Sequence, residues 1–94
     1  MDDSKIMELF FARDETAIKH MDDTYGRRLF HLADNILHND QDAEESVSDT
    51  YWKAWNTIPP QRPVHFFGYI AKLLNIRVLL LIFRIGASAK PKTK

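Results

Sequence analysis

The chain has 94 residues, enough for one small domain with a helical core. A hydrophobic content of 45% with 12% aromatic residues excludes wholesale disorder, and the absence of cysteine excludes disulfides, zinc–thiolate sites and a cysteine nucleophile. The formal net charge of zero hides a split: residues 1–50 hold thirteen acids against five cations, net −8, while residues 51–94 hold eight cations and no acid, net +8. Such asymmetry points to one end facing a basic partner and the other an anion, most commonly nucleic acid. Met1-Asp2-Asp3 is acidic where a secretory signal would be basic, so the expected location is cytoplasmic.

Taken in chain order, the elements all read as helices. Ser4 is the expected cap of a short helix running to about Phe11, with Ile6, Leu9 and Phe10 on its apolar face. Asp14 precedes a second helix, whose stripe of Ala17, Ile18, Met21, Tyr25, Leu29, Leu32, Ala33 and Ile36 keeps the 3.6-residue period. Gly26 interrupts that stripe, marking either a kink or a close approach by another helix. Asn39-Asp40 ends this helix, and Asp40 is the expected cap of the next.

The third helix, over 42–58, turns Ala43, Val47, Tyr51, Ala54 and Ile58 inward. Glu44, Glu45, Ser48, Asp49, Trp52 and Lys53 fall largely on its other faces. A Trp placed among carboxylates on an outward face is a frequent composition for a protein-binding surface. Pro59, Pro60 and Pro63 stiffen the loop that follows. A last helix starts near His65 or Phe66 and is expected to run to Arg84. The predicted architecture is all-α, a compact bundle of three to four helices over 1–85, with 86–94 a flexible basic tail.

Asp42-Ala43-Glu44-Glu45 at the opening of the third helix and Lys53-Ala54-Trp55 at its close resemble region 2.2 of bacterial sigma-70 family factors, in the extracytoplasmic-function branch. The resemblance spans roughly residues 4–72. It departs at Ser46, where an aliphatic residue is usual, and at Ser48, where Gln is common. What it implies is a domain that binds core RNA polymerase through the β′ coiled coil and recognises and melts the promoter −10 element. Docking would then fall on Glu45, Ser48, Asp49, Trp52 and Lys53. An anti-sigma factor is a further partner the resemblance implies.

Single-strand capture needs cations for phosphate and flat rings for bases. Arg62, His65, Phe66, Tyr69 and Lys72 offer both close together, and Arg77 adds a cation further along the same helix. Phe66, Phe67 and Tyr69 are equally suited to the core, and Phe67 and Ile70 are expected inside. After Lys72 the family pattern is lost, and residues 78–83, VLLLIF, are unbroken apolar. Six such residues cannot all face one core from a helix. Two consequences are expected: a homodimer through residues 73–85, and no membrane span, since the run is short and Asn75 and Arg77 precede it. The alternative function is an altered or shortened sigma-like module that docks on polymerase or self-associates without promoter recognition. His31, Asp34 and His38 share one helix, but without the paired Glu-x-x-His motifs of bundle metal sites they read as ordinary polar residues. No metal, cofactor or catalytic activity is expected; no glycine-rich phosphate loop or hydrolase serine motif is present.

Overall fold

The computed structural model describes the backbone of residues 2–89 and side chains through Arg84. Among the described residues four helices form an all-α bundle: α1 (Asp3–Phe11), α2 (Thr16–Leu37), α3 (Asp40–Thr57) and α4 (Phe66–Ala89). Each starts and stops for a local reason. Asp2, rather than Ser4, caps α1: its carboxylate accepts from Lys5 N at 3.0 Å, and Asp3 in the first turn complements the helix dipole.

α1 ends in a Schellman turn. Asp14 N donates to Leu9 O at 2.9 Å, Arg13 N donates to Phe10 O at 3.0 Å, and Arg13 adopts the left-handed conformation with φ 56°. Asp14 then receives Thr16 N at 3.0 Å and Thr16 Oγ1 at 2.7 Å, which starts α2. These two hydrogen bonds hold the Asp14 carboxyl below its ordinary range, the side-chain bond contributing most.

α2 closes with His38 in the left-handed region, φ 52°, and its N–H bonded to Asp34 O at 2.8 Å. Asn39, not Asp40, caps α3 by accepting from Asp42 N at 2.9 Å. The short link makes α2 and α3 an antiparallel hairpin. α3 buries mainly small residues (Ala43, Ser46, Val47, Thr50 and Ala54), which lets α2 come close. Gly26 sits at that approach: a Cβ there would collide with the Asp22 carboxylate and crowd the Tyr51 hydroxyl. Of the two roles open to Gly26, the structure shows close packing, and α2 runs through it unbroken.

The core is centred on α1 and the first half of α4. Phe10 lies 5.9 Å from Phe66 and 6.0 Å from Trp55, ring centre to ring centre, and Tyr25 lies 4.8 Å from Phe67. α4 seals Phe66, Ile70, Leu74 and Val78 into the bundle, one residue per turn. Four inward placements are corrected by the fold. Tyr51 and Phe67 are half-buried, and Leu32 and Ile36 face solvent. α1, at roughly 14 Å, is too short to cover all of α2, at roughly 33 Å, so the far end of the stripe stays open.

α4 continues to Ala89, past the expected end at Arg84. Of the expected 86–94 tail, residues 90–94 lie outside the described residues. Counted along the helix rather than over the unbroken run alone, Phe66–Arg84 is long and apolar enough by composition to cross a membrane, with a mean hydropathy of 1.8. Its four sealed residues also fit the core helix of a bundle. Beyond Val78 the helix carries Leu79, Leu80, Ile82 and Phe83 exposed.

Candidate docking and nucleic-acid surfaces

α3 presents its chemistry outward because its inward face is taken up by Ala43, Val47, Ala54 and the hydroxyl residues Ser46 and Thr50. Glu44, Glu45, Ser48, Trp52 and Lys53 are exposed, Trp52 at 63%. Asp49 differs from them. Its carboxylate is 2.7 Å from an Arg77 nitrogen on α4, with both side chains partly exposed. The ion pair joins one residue expected at the polymerase face to one expected at DNA. Arg77 Nε is buried beside it with no hydrogen-bond partner among the described residues.

A second feature was not legible in the spacing of α3 alone. An open groove runs between α2 and α3, with Ile18, Val47 and Tyr51 as its floor and Glu15, Asp22 and Glu44 at its rim beside one cation, Lys19, which is paired with Asp23. It continues into a hollow bounded by Trp52 and Trp55, sharing Glu15, Ile18, Ser48 and Tyr51. Glu15, at the N-cap of α2, and Asp22 stand seven residues apart, two turns along one face, and that spacing was the available signal. Tyr51 Oη donates to Asp22 Oδ1 at 2.7 Å. Burial chiefly, and the neighbouring Asp22 charge, push the Tyr51 phenol well above its ordinary value. The groove is therefore apolar at its base and net anionic at its edge, a shape suited to a basic amphipathic helix or coiled coil.

The residues proposed from sequence for nucleic acid separate into three groups. Arg62, His65 and Lys72 are exposed, and the Arg62 guanidinium lies 4.3 Å over the Phe11 ring. Tyr69 is half-buried, with its hydroxyl donating to Thr57 Oγ1 at 2.9 Å. Phe66 does not belong with them: it is 1% exposed, packed on Phe10 and Tyr25, and its ring cannot stack on a base. Arg77 is engaged by Asp49. Of the metal candidates, His31 is exposed with its ring 5.7 Å from Phe30, and His38 forms the end of α2. Among the described residues no three His, Asp or Glu side chains converge on a point.

Arg13 was also missed. Its guanidinium donates to Trp55 O at 2.8 Å and Ile58 O at 3.2 Å, and stacks 3.8 Å over the Trp55 ring. It caps the C-terminal end of α3 and fixes the Trp that borders the groove. Comparison with protein-family models, with curated proteins and with solved structures finds no match to this chain.

Proposed function

We propose that this chain is a sigma-like transcription-initiation domain whose α3 face docks on the β′ coiled coil of core RNA polymerase. The observation that carries the reading is the continuous outward face of Glu45, Ser48, Trp52 and Lys53, bordered by the anionic groove between α2 and α3. Carboxylates around an exposed Trp give a basic helical partner both register and an anchor. The Asp42–Trp55 motif that resembles sigma region 2.2 supports the same partner. Promoter capture at the −10 element would rest on Arg62, His65 and Lys72, with Tyr69 as the ring nearest the surface. An anti-sigma factor would compete for the docking face, and the protein would act in the cytoplasm as a binder, not an enzyme.

A second reading follows from Phe66 and Arg77. With one ring sealed in the core and one cation held by Asp49, base capture loses two of its six groups. The domain is then a docking module that engages polymerase without promoter recognition.

Capture on an immobilised β′ coiled-coil fragment tests the docking claim. Trp52→Ala is expected to weaken capture by roughly 30-fold, the effect of losing a hot-spot anchor. Asp49→Arg alone would set two cations together, so the informative variant is the exchange Asp49→Arg with Arg77→Asp. It restores an ion pair between α3 and α4 while reversing the charge at the face. Unchanged melting with lost capture is expected; full capture by the exchanged variant refutes the assignment of Asp49. Binding of single-stranded −10 DNA separates the two readings, since phosphate contacts weaken steeply with salt. No binding at low salt selects the docking module.

A further inference from the structure

The middle of α4 carries a second apolar seam, distinct from the one that seals the bundle. Leu73, Ile76, Leu80 and Phe83 follow one another at spacings of three, four and three residues, the a/d pattern of a helix that packs against another helix. The sealed residues Phe66, Ile70, Leu74 and Val78 lie on a different face. Leu73 is half-buried at the bundle edge, whereas Ile76, Leu80 and Phe83 are 47, 52 and 75% exposed. Beside the seam, α3 and α4 enclose a mostly apolar groove lined by Leu73, Ile76 and Leu80, with Asp49, Lys53 and Arg77 at its rim.

We infer that a second copy of this chain occupies the seam, as an antiparallel α4–α4 homodimer about a two-fold axis near residue 78. Three observations select this occupant. The seam is complementary to its own reverse: Leu73 meets Phe83 of the other copy, Ile76 meets Leu80, and each Phe83 lies over the groove of the opposite copy. The match is isologous and closes at two chains. The area also suffices. With Leu79 at 59% exposure beside them, these side chains offer on the order of 500 Å² per copy, reaching in total the roughly 1,000 Å² a specific dimer needs. The groove then chooses the direction: the antiparallel pair brings each Phe83 to Leu73, Ile76 and Leu80 of the other copy, whereas a parallel pair would set Phe83 against Phe83 and leave both grooves unfilled. Near the axis the two Arg77 side chains approach each other, each neutralised by Asp49 of its own chain.

The inference is independent of polymerase docking, and its test needs only the full chain. Multi-angle light scattering over a concentration series is expected to show a monomer–dimer equilibrium that salt does not weaken, unlike any nucleic-acid term. Leu80→Arg and Phe83→Ser alter exposed positions and should give monomers with unchanged helical circular dichroism. Because the chain has no cysteine, single cysteines report the geometry directly. A mixture of Leu73→Cys and Phe83→Cys chains should form the mixed disulfide in preference to either homodisulfide. A monomer at every concentration overturns the proposal, and so does predominant Phe83→Cys self-coupling, which requires parallel helices. A monomer that instead floats with phosphatidylglycerol vesicles overturns it in favour of a lipid surface.

Discussion

Ser46 is the residue at which this chain departs most informatively from an efficient helical core. It is 1% exposed, and its Oγ has no hydrogen-bond partner among the described residues, although Thr50 below it donates to Ser46 O at 2.8 Å. A buried hydroxyl without a partner keeps the cost of leaving water and gains nothing back. Ser46→Ala removes the hydroxyl and keeps the small volume that lets α2 approach. It is expected to stabilise the fold by about 1 kcal/mol and raise Tm by roughly 4–8 °C, measured by thermal circular dichroism. An unchanged or lower Tm would mean that the hydroxyl is satisfied in solution. The position was visible in sequence as a serine where an aliphatic residue is usual; its burial was not.

At the scale of the element, the corner between α1 and α2 does more than connect two helices. Arg13 pays about 1 kcal/mol for a left-handed backbone and from there reaches the last carbonyls of α3. Arg13→Ala keeps the backbone penalty and loses the guanidinium, with an expected cost of roughly 1–3 kcal/mol; Arg13→Gly loses the same contacts but relieves the backbone. Urea denaturation should therefore rank wild type above Gly above Ala, with Gly about 1 kcal/mol better than Ala. Equal values for the two variants would show that the corner carries no strain. The helices themselves were legible because apolar spacing and capping residues agree over long runs. Their ends were less so: Asp2, Ser4, Asn39 and Asp40 are all competent caps, and only packing selects among neighbours. Phe66 and Phe67 show the same limit. They are adjacent, both can face inward near the start of α4, and the choice is made by Phe10 and Tyr25 on other helices. The Asp49–Arg77 pair lies 28 positions apart in the chain, beyond any local pattern.

Across the whole molecule, two tyrosines act as struts tied to carboxylates. Tyr25 Oη donates to Asp3 Oδ1 at 2.5 Å, joining α2 to α1, and Tyr51 joins α3 to α2 through Asp22. The hydrogen bond to Asp3, reinforced by burial, pushes the Tyr25 phenol up to about 12. Both phenols ionise less readily folded than unfolded, where tyrosine titrates near 10. Their stabilisation is thus complete below pH ~10 and is lost as pH rises through the folded value. Urea midpoints should be level from neutral pH to about 10 and then fall towards pH ~12. The Tyr25→Phe, Tyr51→Phe double variant should start lower at neutral pH, by roughly 1 kcal/mol per lost hydrogen bond, and decline less. Parallel alkaline declines in both proteins would remove the struts from the account.

α4 is clamped over its first three turns and leaves the bundle after Val78. Its backbone amides therefore divide into two kinetic classes under deuterium labelling. Those up to residue 78 open only with the rest of the protein, while those of 79–84 depend on a single helix staying wound in water. Deuterium uptake at 79–84 then becomes a gauge of company: fast in dilute solution, slowed whenever something lies alongside.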